Sequence, residues 1–84
     1  MNHVSLHGQL QADPQRTSSA IFFTLIVTRP GTNRGADFIS CAAFGKVLDR
    51  VAGATRGDYL IVEGRLRSIK DRGMVVSIHD VTRL

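Results

Sequence analysis

Two phenylalanines six residues apart, Phe38 and Phe44, stand in the segment Ala36-Asp37-Phe38-Ile39-Ser40-Cys41-Ala42-Ala43-Phe44-Gly45-Lys46. From Asp37 to Phe44 the pattern has a period of two. An extended strand then carries Phe38, Ser40, Ala42 and Phe44 on one face, and Ile39, Cys41 and Ala43 on the other. Bulky rings at the ends of one face, with only Ser40 and Ala42 between them, leave a shallow trough. Spaced rings beside basic residues make a platform on which unpaired bases stack. Apolar residues lie on both faces, however, so burial of both rings in a core fits this strand taken alone equally well.

Eleven basic residues against seven acidic leave a net charge of +4, and nine of the eleven are arginine. Guanidinium groups pair with phosphate through two hydrogen bonds and also stack on bases, which lysine does not. The composition therefore suits a nucleic-acid partner. A basic surface that only keeps the chain soluble is the plain alternative.

Catalytic chemistry finds no constellation. His3 and His7 are four residues apart on a strand, roughly 13 Å at ~3.3 Å per residue, too far to share a metal. His79 stands alone. No G-x-S-x-G elbow and no phosphate-binding G-x-x-x-x-G-K-[ST] loop is present. The carboxylates show no paired spacing, and Asp37 and Asp58 read as turn residues. Cys41 is the only cysteine, which rules out an intrachain disulfide and reads as an inert core thiol. The expectation is a binding protein that is not an enzyme and needs no metal and no cofactor.

The elements that must position these residues follow from periodicity. Val4, Leu6, Gly8 and Leu10 alternate with polar residues and predict a first strand. A polar connection from Asp13-Pro14 to Ser19 leads to Ala20–Thr28, a continuous β-branched and bulky run that predicts a strand covered on both faces. Arg29-Pro30-Gly31-Thr32-Asn33-Arg34-Gly35 is a loop. The third strand is the Phe38–Phe44 segment, and Lys46 to Thr55 reads as a short helix with Val47, Leu48, Val51 and Ala52 on one side. Tyr59 begins a fourth strand that runs on to Lys70, and Asp71-Arg72-Gly73 turns it into a fifth, with a bulge at His79-Asp80. Five strands with one short helix between the third and fourth is the order of an OB-fold barrel, an all-β fold that binds oligonucleotides on strands two and three. Residues 1–84 read as one such domain, small enough that self-association would add stability. No apolar run approaches a membrane span and the N-terminus lacks a signal-peptide layout, so cytoplasmic residence is expected.

Several stretches together resemble the bacterial single-stranded DNA-binding proteins. These are Met1-Asn2-His3-Val4 through Gly8-Gln9-Leu10, Asp13-Pro14, Phe23-Thr24-Leu25, Asp37-Phe38-Ile39 leading into Phe44-Gly45-Lys46, and Gly57-Asp58 leading into Val62-Glu63-Gly64-Arg65-Leu66-Arg67. No one of them is specific; their order along nearly the whole chain is. The resemblance implies an OB-fold that assembles as a homo-oligomer, a tetramer or a dimer, and holds single-stranded DNA with little sequence preference in replication, recombination or repair. It implies stacking at Phe38 and Phe44 and phosphate contacts at Lys46, Arg56, Arg67 and Lys70. Arg29, Arg34 and Arg72 line the same groove on the loop and hairpin reading above.

Three departures qualify the resemblance. Asp71 stands where relatives often carry an aromatic, the hairpin between strands four and five is short, and the sequence ends at Leu84 without an acidic tip. Weaker binding, a smaller site and no tip-mediated recruitment of replication proteins are therefore expected. A short, tail-less domain is also similar to primosomal replication protein N, a dimeric relative, so primosome proteins are candidate partners. A protein-interaction scaffold and a single-stranded RNA binder remain the competing readings.

Overall fold

A computed structural model describes residues 1–31 and 35–84. Its strands are β1 (Val4–Leu10), β2 (Gln15–Arg16), β3 (Ala20–Thr28), β4 (Ala36–Phe44), β5 (Tyr59–Ile69) and β6 (Gly73–Arg83). A 3-10 turn at Gly45–Val47 runs into a single helical turn, α1 (Leu48–Val51), between β4 and β5. The strands join in the order β1-β5-β6-β4-β3-β2, and β1 also pairs with β3 through Gln9↔Ile26 and Leu10↔Leu25. That last pairing closes the sheet. Every pairing is antiparallel except β4 with β6. The result is the expected five-stranded OB barrel, with β2 a two-residue addition inside the connection that reads as purely polar.

Alternation decides which residues fill the barrel. Leu10, Ile21, Phe23, Leu25, Cys41, Leu60, Val62, Val76 and Val81 point inward, and Val47, Val51 and Ala54 close one end. Each fully buried Leu or Val contributes ~1.5–3 kcal/mol relative to exposure. Burial also pushes the Cys41 thiol up to about 12, which leaves it protonated and inert, as expected of a core thiol.

Two glycines are fixed by close approach. A Cβ on Gly64 would stand 2.2 Å from the Ser77 carbonyl oxygen, where the β5–β6 register shifts between Glu63 and Gly64 opposite His79. The bulge expected at His79-Asp80 is thus present, and it leaves no room on the facing strand. A Cβ on Gly8 would lie 2.7 Å from the Ile26 carbonyl oxygen, where β1 crosses β3.

Helical content is less than the Lys46–Thr55 reading. The α-helix stops at Val51; Ala54 donates its backbone N–H to the Val51 carbonyl at 2.9 Å, a tightening that buries Ala54 and leaves Ala52 exposed. Leu66 falls on the inward parity of β5 yet is 45% exposed, because β1 pairs with β5 only as far as Val4↔Gly64 and the β5–β6 hairpin runs on beyond it. Asn2 braces that hairpin: its side chain donates to the Leu66 carbonyl and accepts from the Leu66 N–H, both at 2.8 Å. Among the described residues no helix is long and apolar enough to cross a membrane.

Candidate nucleic-acid interface

The β3–β4 register fixes which side chains share the outer face. Ala20 opposes Phe44, Phe22 opposes Ala42, Thr24 opposes Ser40 and Ile26 opposes Phe38. Through Ala42↔Ser77, Ser77↔Arg65 and Val75↔Arg67, the same face continues across β6 onto β5. It therefore carries three aromatic rings and two arginines on one curved surface.

The rings occupy two stations. Phe38 is 59% exposed and touches no other ring or guanidinium among the described residues, so its face is open. Phe44 lies six residues further along β4, roughly 20 Å away at ~3.3 Å per residue. It is half-buried and meets Phe22 edge-on, with ring centres 6.1 Å apart and planes at 90°. Ala42 is fully buried on this outer side, outside the interior cluster, directly opposite Phe22 and two residues from Phe44 on the same face. Core burial is thereby excluded for Phe38 and holds only in part for Phe44.

Guanidinium groups cover the second station. The Arg67 guanidinium carbon is 5.6 Å from the Phe44 ring centre, and that of Arg72 is 3.5 Å from the Phe22 ring centre. At 3.5 Å the Arg72 guanidinium carbon is in van der Waals contact with the face of the Phe22 ring. Beside this stack runs a groove of about 420 Å³ between Gln11-Ala12-Asp13, β3, β4 and the Asp71-Arg72 turn.

The remaining expected contacts distribute around this face. Lys46 is exposed in the turn that follows Phe44, where Gly45 takes the left-handed φ of 63°. Arg56 is exposed beside the groove, its backbone N–H donating to Asp13 Oδ1 at 2.8 Å. Lys70 is exposed at the hairpin turn next to Asp71. Arg29 is committed elsewhere: its Nε and Nη2 donate to Asp37 Oδ1 at 3.0 and 2.8 Å, joining the ends of β3 and β4. That hydrogen bond holds the Asp37 carboxyl below its ordinary value and raises Arg29. Asp37 is a strand residue with an ion-pair partner, not the turn residue it reads as. Arg34 lies outside the described residues.

Phe22 is a functional candidate that the sequence alone does not show, and Arg65 becomes one. In an unbroken apolar run Phe22 and Phe23 are equivalent; only the register shows that Phe23 points in and Phe22 out. Arg65 has Glu63 and Asp58 near it in sequence and pairs with neither. Glu63 is instead 3.4 Å from His3, Asp58 is 3.4 Å from Arg83, and Arg65 makes no ion pair among the described residues. No group of three or more His, Cys, Asp or Glu side chains is gathered as a metal site requires among those residues.

A closed OB barrel with rings on the outer face of its second and third long strands, and guanidinium groups reaching them from β5 and the hairpin turn, defines an oligonucleotide-binding type of module. The single-strand binding protein family model matches residues 1–82, and the chain belongs to that family. It is 41% identical over 75 residues to a single-stranded DNA-binding protein of Clostridium perfringens (strain 13 / Type A), covering 81% of this chain and 50% of that protein. A single-stranded DNA-binding protein of Mycoplasma genitalium is 36% identical over 76 residues, 83% of this chain and 48% of that protein. The chain thus spans about half the length of the curated relatives it matches. In fold it resembles the crystal structure of a small single-stranded DNA-binding protein from Streptomyces coelicolor, with a TM-score of 0.83 and 16% identity, over 98% of this chain and 91% of that one.

Proposed function

We propose that this chain binds single-stranded DNA with little sequence preference, as a single OB domain and without catalysing a reaction. The observation that carries the reading is the outer β3–β4 face, where an open Phe38 and the Phe22–Phe44 pair stand among Arg65, Arg67 and Arg72. Bases stack on the rings because every base has a flat face, and that contact carries no sequence information. Lys46, Arg56, Arg67, Lys70 and Arg72 follow the phosphates, with Arg65 as an addition; Arg29 joins only by exchanging Asp37 for a phosphate, and Arg34 stays a candidate from its loop. Each phosphate contact releases counterions, so affinity falls with salt.

The names of the relatives support DNA over RNA; a place in replication, recombination or repair, and residence in the cytoplasm, are carried over from the family as part of the same proposal. Partners among replication or primosome proteins follow from the family, not from a surface of this chain. Self-association is supported by the outward face of β1 and β5, where Tyr59 is 50% and Ile61 38% exposed. Titration of a dye-labelled oligo-dT at two salt concentrations tests the reading. Saturable binding that weakens with salt is expected; no binding at low salt would leave the scaffold reading in possession.

A further inference from the structure

The groove beside Phe22 differs in kind from the rest of the face. At Phe38 a strand meets an open ring and little else. At the groove, a base would meet the outer side of the Arg72 guanidinium, whose inner side lies 3.5 Å from the Phe22 ring centre. A base seated there has its edges among the polar side chains that line the groove: Gln11, Gln15, Thr24 and Ser40, with the carboxylates of Asp13 and Asp71.

These groups are not neutral toward the four bases. Hydroxyls and side-chain amides either donate or accept, so they adapt to any edge. A carboxylate only accepts. Asp13 has one oxygen taken by the Arg56 N–H, and its second oxygen makes no hydrogen bond among the described residues. Asp71 has none on either oxygen among those residues, and its φ of 69° fixes it in the turn next to Arg72. The Arg72 donors lie in the plane of its guanidinium, parallel to a stacked base and not aimed at the base's edge. The groove's fixed polarity is therefore accepting.

We infer that this groove is a base-reading subsite on an otherwise sequence-tolerant surface. It takes a base that offers an exocyclic amino group, guanine or cytosine foremost, in preference to thymine. Guanine presents N1–H and N2–H₂ side by side to one carboxylate, and cytosine presents N4–H₂. Thymine presents two carbonyl oxygens flanking a single N–H, and those oxygens face the carboxylates with like sign. The inference rests on the single-stranded DNA reading above and adds a composition preference to it.

The test is competition against a dye-labelled oligo-dT by unlabelled oligo-dT carrying one central guanine or cytosine. Because the other sites are tolerant, the strand slides until the substituted base finds the groove. A single guanine is expected to improve competition by about fivefold or more, the scale of one bidentate base contact. Asp71→Asn removes most of that ratio, and asparagine accepts the positive φ at this position, so the turn is kept. Equal competition by all oligomers, or a guanine ratio that survives in both Asp71→Asn and Asp13→Asn, overturns the subsite and leaves the DNA-binding reading standing. Failure of oligo-dT itself to bind removes both.

Discussion

The Arg72 guanidinium covers the Phe22 ring, its carbon 3.5 Å from the ring centre, and so ties the β5–β6 hairpin turn to the first part of β3. The turn that brings it there is short: the Arg72 N–H donates to the Ile69 carbonyl at 3.0 Å, with Asp71 and Gly73 both at positive φ. A cation over an exposed ring is worth ~0.5–1 kcal/mol. Its larger effect is to hold a planar, charged group at a fixed place on the outer β3–β4 face. Charge and plane are separable by substitution. Arg72→Lys keeps the charge and loses the plane, whereas Arg72→Ala loses both. For oligo-dT, the slope of log affinity against log salt is expected to stay constant in Arg72→Lys and to fall by about 0.7 in Arg72→Ala. Affinity is expected to drop about fivefold or more in both, the lower end of a base-stacking contact. Parental affinity in Arg72→Lys would show that the plane adds no stacking surface.

The two stations on the face should respond differently to truncation. Phe38 is mostly exposed, so Phe38→Ala is expected to weaken oligo-dT binding by ~1–3 kcal/mol and to change folding stability by no more than about 0.5 kcal/mol. Phe44 shares its burial with Phe22 and Ala42. Phe44→Ala is therefore expected to reduce both binding and stability, the latter by at least the ~0.5–1.5 kcal/mol of an edge-to-face ring pair. Thermal melts run beside the titrations check this. A Phe38→Ala protein that melts far below its parent would put that ring back in the core.

How far these stations are legible in the chain depends on register. Phe38 and Phe44 share a strand whose alternation is visible, so their common face is written in the sequence. The barrel order is legible too, because Gly, Pro and Asp punctuate strands of clear period two. Phe22 is not, since Phe22 and Phe23 sit in one apolar run and nothing local says which of them points inward. That choice is made by pairing with β4, a relation between residues about twenty apart. Arg29 and Arg72 are both loop arginines by spacing, yet one faces a carboxylate and the other a ring. The helix overrun has a local cause: Ala52 and Ala54 are both good helix residues, and the turn at Ala54 follows from burying that methyl against the barrel end.

Gly64 gives a prediction on folding alone. The Ser77 carbonyl oxygen stands 2.2 Å from where a Cβ would be, and the nearby backbone of Ile78 at 2.8 Å leaves it nowhere to go. Both obstacles are backbone atoms in a paired strand. Gly64→Ala is expected to destabilise the barrel by roughly 2 kcal/mol or more, toward the upper end for overpacking a filled site. Chemical denaturation of the variant measures this. Parental stability would mean that the β5–β6 bulge relaxes freely, and the tight register at Glu63/Gly64 would lose its explanation.

The Arg29–Asp37 pair links stability, pH and binding. Hydrogen bonding from Arg29 holds the Asp37 carboxyl below its ordinary value. As pH falls, the unfolded chain takes up this proton first, so the pair's contribution is present above about pH 4 and is lost as pH drops through the lower folded value. Asp37→Asn is therefore expected to lose less stability than the parent on going from about pH 5 to about pH 3. The effect is small because both side chains are about half exposed. At neutral pH the same variant removes a carboxylate that competes with phosphate for the Arg29 guanidinium. Its affinity for oligo-dT at low salt is expected to rise, and its salt slope to steepen. Unchanged affinity together with an unchanged slope would place Arg29 off the path of the strand, and leave Lys46, Arg56, Arg65, Arg67, Lys70 and Arg72 as the described cations that meet it.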